Sequence, residues 1–422
     1  MADLELTDLH ASLTDRALNS MNFLNEISHH YPDAISLAAG RPTEEFFALE
    51  DLHRYLDLFA EHLRDRGYDE PAVRRTIFQY GRTKGIIHDL VARNLAVDED
   101  IHVDPEAIVV TVGCQEAMVL TLRALRSTPQ DVLLAISPTY VGITGAARLV
   151  DLPVVPVGED DDLEAVLKAV RADGLRPRAC YVMPDFANPS GLSMDVASRK
   201  HLLEIAATEE ILLIEDNPYG LFPATGHERL PTLKALDTER RVVYLGSFAK
   251  TGLPGARVGY VVADQTVAGG GLFADELSKL KSMLTVNTAP VAQAVIGGKL
   301  LANDFSLVAA NRRERERYAA NLRAITDGLR TRFPDGGISW TVPAGGFFVV
   351  VTVPFPVDDA LLEKSAHEYG VLWTPMSHFY DTDVPVHALR LSCSAVTPAQ
   401  LEAGLDRLAA LLTDELVLSA GR

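Results

Sequence analysis

Cysteine is scarce: three residues (Cys114, Cys180, Cys393), odd in number and far apart. That excludes a disulfide framework and offers no metal-ligand spacing, so free thiols in a reducing compartment are expected. No run of eighteen apolar residues is present, and no membrane-spanning helix is predicted. Basic residues are in deficit, 39 Lys and Arg against 58 Asp and Glu, for a net charge of −19. An acidic surface of that size argues against nucleic acid and anionic membranes as partners, because both require a basic face. The start of the chain, Met1 to Asp8, is acidic and lacks the basic and apolar regions of an export signal, which predicts a cytoplasmic protein. Internal repeats and low-complexity tracts are also missing.

What is present is the material for a large buried core: 47% apolar residues and 23% charged ones over 422 positions. That length suits one large and one smaller domain. The expected division is an N-terminal segment (1–49) packing on the small domain or on a partner subunit, a large domain (50–300) and a small C-terminal domain (301–422). Between residues 105 and 262, short apolar runs alternate with longer helix-periodic stretches. The runs are Ala107–Thr111, Val132–Ile136, Cys180–Met183, Ile211–Ile214, Val242–Leu245 and Val258–Val262. Runs apolar at every position are buried on both faces, which predicts an α/β fold with a doubly wound, mostly parallel sheet. The C-terminal third reads as a smaller α+β domain. Tyr318, Leu322, Ile325, Leu329 and Phe333 form one stripe of a long amphipathic helix. Gly345–Val351 and Ala388–Ser392 read as strands. Thr397 and Pro398 then open a final helix as N-cap and first residue.

Almost every apolar run of the large domain is followed at once by polar chemistry. Gly113-Cys114-Gln115 opens a helix, Tyr140 follows Ser137-Pro138-Thr139, and Asn188 begins Asn188-Pro189-Ser190-Gly191. Asp216 and Tyr219 follow Ile214, while Ser247 and Lys250 follow Leu245, with Arg257 seven positions on. Singly, each has a plainer reading as a turn, a helix cap or a surface lysine. In succession they share one edge, because ligands of open α/β sheets bind beyond the carboxyl ends of the strands. A lysine at the end of a buried strand is poorly hydrated and easily kept neutral, the state in which an amine condenses with a carbonyl. The carbonyl this set suits is that of pyridoxal 5'-phosphate. Backbone N–H groups of Gly113, Cys114 and Gln115, with Ser247 and Arg257, suit its phosphate. Asp216 suits the protonated ring nitrogen, Tyr140 a stacking face, and Asn188 with Tyr219 the ring hydroxyl. Lys250, Asp216 and Tyr219 form the expected catalytic set, and no metal is expected.

These motifs resemble the fold-type I, class I/II pyridoxal-phosphate-dependent aminotransferases, in particular the 2-aminoadipate and kynurenine aminotransferase branch. The resemblance runs from Ile35-Ser36-Leu37-Ala38-Ala39-Gly40-Arg41-Pro42 through Gln79-Tyr80-Gly81, the Asn188, Ser247–Lys250 and Pro343–Phe348 stretches, to Leu389-Arg390-Leu391-Ser392. It implies amino-group transfer between an amino acid and a 2-oxo acid in two half-reactions. It also implies a homodimer with shared active sites, Tyr80 reaching the other subunit's cofactor phosphate and Arg390 holding the substrate α-carboxylate. Gly40 and Arg41 fall near the substrate; Arg41 binds either a polar substrate group or a surface carboxylate. Two departures stand out. Ala249 occupies a position where a serine often touches the phosphate, leaving water or Thr251 as replacements. The stretch Ser20–Ile27 lacks an arginine for a side-chain carboxylate, which disfavours 2-aminoadipate or glutamate as the dedicated substrate. The Gly40-Arg41-Pro42 and Asn22–Glu26 stretches are similar to those of aminotransferases that make non-proteinogenic amino acids for peptide antibiotics. An aromatic glycine is the first expectation there and a guanidino (enduracididine-type) acid the second.

Overall fold

The computed structural model describes residues 4–381 and 384–420; the first three residues of the acidic N-terminal stretch lie outside it. Helix α1 (Arg16–His30) is capped by Asp15, whose side chain accepts from the Ala17 N–H, and leads to a short strand β1 (Ile35–Ser36). Helices α2 (Leu49–Asp65), α3 (Glu70–Phe78) and α4 (His88–Glu99) precede the alternating part of the chain. There the order is β2 (Ile108–Thr111), α5 (Gly113–Leu125), β3 (Asp131–Ile136), α6 (Val141–Leu149), β4 (Val154–Val157) and α7 (Leu163–Ala172). It continues with β5 (Arg176–Val182), α8 (Val196–Thr208), β6 (Leu212–Asp216), α9 (Leu233–Leu236), β7 (Val242–Ser247) and β8 (Gly259–Val262).

The sheet runs β2-β8-β7-β6-β5-β3-β4. All neighbours are parallel except β8, which is antiparallel to β2 and β7. Strand alternation divides the core. Val109, Leu133, Tyr181, Ile214 and Leu245 pack to one face, and Ile108, Val110, Leu134, Cys180, Leu213 and Tyr244 to the other. Both faces are covered by helices, which is why these strands read as continuous apolar runs.

Helices α10 (Phe273–Leu284), α11 (Pro290–Ala302) and α12 (Leu307–Ala310) lead into the long α13 (Arg312–Arg332). The remaining elements are β9 (Ser339–Trp340), β10 (Phe348–Thr352), α14 (Asp359–Lys364), β11 (Val371–Leu372), β12 (Thr374–Pro375), β13 (Ala388–Ser392) and α15 (Pro398–Ala420). An antiparallel sheet of order β12-β13-β10-β9 packs on α13 and α15. Thr397 and Gln400 cap α15 reciprocally, each side chain accepting from the other's backbone N–H. Ile27, Leu37 and Ala38 join this core, and β1 pairs in parallel with β11, so the chain start is woven into the C-terminal part.

Two sequence expectations need correction. The strand expected over Gly345–Val351 starts only at Phe348, because Gly345 and Gly346 (φ +75°) form the turn that lies against Phe186. Strand β4 was not foreseen; Pro153 and Pro156 disguise it, and it sits at the sheet edge, where proline is tolerated.

Candidate active site

The carboxyl ends of β5, β6 and β7 deliver Asn188, Asp216 and Lys250 to one crevice, closed on its other side by β13 and the Ala38–Gly40 loop. Lys250 Nζ donates to the Gly40 carbonyl at 2.7 Å and lies 6.0 Å from the Tyr219 ring centre. Burial, then the charges of Arg257 and Arg390, push its pKa down to about 8; Asp216 opposes them. Asp216 is 2% exposed and accepts from the Tyr181 hydroxyl at 2.7 Å and the Cys114 thiol at 3.6 Å. Burial raises its carboxyl to about 6. Tyr140 precedes α6, and Tyr219 packs on Phe347 and Phe348; burial pushes both phenols up.

At the opposite end of the crevice, α5 begins with Gly113 in the left-handed region (φ +70°). The N–H groups of Gly113, Cys114 and Gln115 belong to its first turn, where no intrahelical acceptor exists. The Arg257 guanidinium lies against Gly113, so that any Cβ there would collide with it. Arg257 makes no ion pair among the described residues, and Ser247 ends β7 nearby with its hydroxyl accepting from the Ala249 N–H at 3.1 Å. A helix N-terminus and an unpaired guanidinium form a cradle for a dianion. The Gln115 side chain turns away to the Gly142 carbonyl, leaving only its backbone at the cradle. Buried Glu116 fixes the turn: it accepts from the Val112 N–H at 2.6 Å and from Lys281 Nζ at 2.7 Å.

Arg390 is 5% exposed and carries no carboxylate partner among the described residues. It donates to Asn188 Oδ1, to the Ala38 carbonyl at 3.0 Å and to Thr374 at 3.2 Å, while its buried Nε has no partner among the described residues. Its guanidinium lies 4.2 Å from the Phe348 ring centre and 4.9 Å from that of Phe379. Burial lowers its pKa to about 10. A buried cation with an orphaned N–H and no counter-ion is arranged for an incoming anion. Both unpaired guanidinium groups, the poised amine and the buried carboxylate therefore fit pyridoxal phosphate together with an α-carboxylate.

Two sequence candidates stand apart. Tyr80 is 84% exposed on this chain, away from its own crevice. Arg41 is exposed as well; its carbonyl, rather than its guanidinium, is engaged, accepting from Ser394 Oγ at 2.6 Å. A cleft of about 510 Å³ borders the crevice and shares Tyr140, Tyr181 and Asn188, but neither Lys250 nor Asp216 lines it. The charged groups, not the void, locate the chemistry. Sequence reasoning missed Tyr181, Cys114 as a thiol donor, and Arg199. The last is fully buried and grips Asp185 with both Nη atoms beside the Asn188 loop.

Comparison with known proteins agrees with this geometry. Residues 64–408 match the family aminotransferase class I and II. The chain is 59% identical to (S)-3,5-dihydroxyphenylglycine transaminase of Amycolatopsis orientalis, covering 98% of this chain and 95% of that one. It is 30% identical to aromatic-amino-acid aminotransferase 1 of Thermococcus litoralis, with 91% and 89% covered. The crystal structure of Pyrococcus horikoshii kynurenine aminotransferase in complex with PMP superposes with a TM-score of 0.82 at 28% identity, covering 98% and 97%. With a lysine amine, a buried aspartate and two unpaired arginines at the carboxyl edge of its sheet, this chain belongs to the class I and II aminotransferases and is a pyridoxal-phosphate-dependent enzyme.

Proposed function

We propose that this aminotransferase acts on an arylglycine and its 2-oxo acid, of which (S)-3,5-dihydroxyphenylglycine is the first candidate. The observation that carries this is the 59% identity to a transaminase of that name over nearly the whole of both chains. The surroundings of Arg390 support it. Phe348 and Phe379 flank the guanidinium, and Leu24 of α1 packs on the Phe379 cluster. Neither Phe23 nor Leu24 supplies a cation for a side-chain carboxylate.

In this reading, bound pyridoxal phosphate supplies an aldehyde for amino groups and a ring that withdraws the charge left at the substrate Cα. The chain's residues do the rest. Arg390 takes the α-carboxylate through two N–H groups and fixes the Cα–H bond. Asn188, bound to Arg390, braces it. Lys250 Nζ takes up and returns the Cα proton, for which a pKa of about 8 suits neutral pH. Asp216 would pair with the ring nitrogen, Tyr140 would offer the stacking face, Tyr219 with Asn188 would donate to the ring hydroxyl, and Arg257, Ser247 and the start of α5 would hold the phosphate. Gly40 sets the Lys250 position through its carbonyl, and Arg41 stands at the rim. The same reading keeps an N-terminal segment (1–49) packed on the small domain, a large domain (50–300) and a small domain (301–422), and a reducing, cytoplasmic setting that agrees with three free thiols. It also includes a homodimer.

The test is a screen of 2-oxo acids against a glutamate donor. The highest kcat/KM is expected for 3,5-dihydroxyphenylglyoxylate; an equal or higher value for 2-oxoadipate or a guanidino 2-oxo acid would overturn the assignment.

A further inference from the structure

Strands β5 and β6 run parallel with Tyr181 opposite Ile214. Side chains two apart on a strand share a face, so Tyr181 and Asp216 are diagonal neighbours, within reach of a phenol. The intervening Glu215 points to the other face, where it accepts from the Leu233 and Lys234 N–H groups at the start of α9. The Tyr181 hydroxyl donates to Asp216 Oδ2, and both side chains are 2% exposed. The Cys114 thiol donates to Oδ1 from α5. Among the described residues no lysine or arginine lies in ion-pair range of Asp216. Its carboxylate is thus held by two neutral donors. They stabilise the ionised form without cancelling its charge, and a carboxylate with about four acceptor sites keeps room for another donor.

We infer that Tyr181 is a positioning residue for the reaction: by holding Oδ2 it orients Asp216 and keeps it ionised towards the cofactor's ring nitrogen. This rests on the reading of Asp216 given above. Burial pushes the Tyr181 phenol well up, so it donates a hydrogen bond without surrendering its proton. The groups facing Asp216 are Cys114 of α5, Tyr140 ahead of α6, Tyr181 of β5, Tyr219 after β6 and Lys250 after β7. The Tyr181 bond is the foremost of those that lower the Asp216 pKa against burial.

Tyr181→Phe removes a single oxygen. In the cofactor-loaded variant the acid limb of the kcat–pH profile is expected to move up by about one unit, the scale of one buried hydrogen bond. The pH midpoint of the bound cofactor's visible absorbance, read without substrate, moves with it. Below the wild-type midpoint the variant is slower by about tenfold, two units above it the rates converge, and KM for the amino acid holds. Should the phenylalanine variant fold poorly, 3-fluorotyrosine placed at position 181, a stronger donor of the same shape, must shift both midpoints the opposite way. Unmoved midpoints, or a rate loss equal at every pH, overturn the inference. Conversion of the wild-type cofactor to its pyridoxamine form by an amino acid tests the underlying reading separately.

Discussion

Lys250 is buried and has two arginines near it, and that placement governs how fast the protein takes up its cofactor. At a pKa of about 8, roughly a tenth of the amine is neutral at pH 7, whereas an unperturbed lysine offers well under a thousandth. Capture of pyridoxal phosphate by the cofactor-free protein should therefore rise about tenfold per pH unit up to about 8 and level off above it, as stopped-flow absorbance would show. A rate still climbing at pH 10 contradicts this placement. Lys250→Ala should bind the cofactor non-covalently and lose turnover. Arg390 makes the complementary case. Its side chain is buried without a counter-ion, so Arg390→Met should weaken binding of the substrate carboxylate by about 2–5 kcal/mol. The thermal midpoint of the substrate-free protein should hold or rise, because an uncompensated charge has been removed. A large loss of stability with unchanged KM would make Arg390 a structural residue. Of these groups, Lys250, Asp216 and Asn188 stand out in the sequence because each follows an apolar run, and Arg257 because it lies seven positions after Lys250. Arg390 was legible only through family resemblance, since nothing in Leu389-Arg390-Leu391 distinguishes it from a surface strand arginine.

Elements hold these groups in place, and here the sequence conveyed less. Each fully apolar run became a strand, with ends displaced by a few residues at most. The pattern reports burial on both faces but carries no direction, so the antiparallel setting of β8 was invisible. Arg199 was invisible for another reason. On α8 it reads as a solvated helix residue, yet it is wholly buried and also donates to the carbonyls of Met194, Pro184 and Pro231. It ties down both ends of the loop that carries Asn188. Arg199→Leu would leave Asp185 buried without its cation and the Met194 and Pro231 carbonyls without donors, at a cost of about 3–5 kcal/mol. A lower thermal midpoint and faster proteolysis within residues 184–194 are expected. Because Asn188 braces Arg390, KM for the amino acid should rise as well. Unchanged midpoint and KM would show that the loop is held by its backbone bonds alone.

At the scale of the whole molecule, one surface does not suit a chain that stays alone. Phe78, Tyr80, Met283, Leu284 and Val286 are all at least half exposed. Gly81 lies against Asn287 and Pro290, which brings the end of α3 and the α10–α11 connection together on one face. Two copies of a chain with net charge −19 repel each other, so their association must draw on apolar area of this kind. The proposed homodimer covers this face and carries Tyr80 to the second copy's phosphate cradle, where Arg257 is only one of the donors a dianion can use. Two substitutions separate assembly from chemistry. Met283→Asp plants a charge where an apolar contact is expected and should yield monomers in sedimentation, with weakened cofactor binding. Tyr80→Phe should leave the dimer intact and reduce cofactor affinity by about ten- to a hundredfold, the worth of one hydrogen bond to a charged group. If the monomeric variant binds pyridoxal phosphate as tightly as the wild type, each chain completes its own site, and the shared-site arrangement fails whatever its oligomeric state.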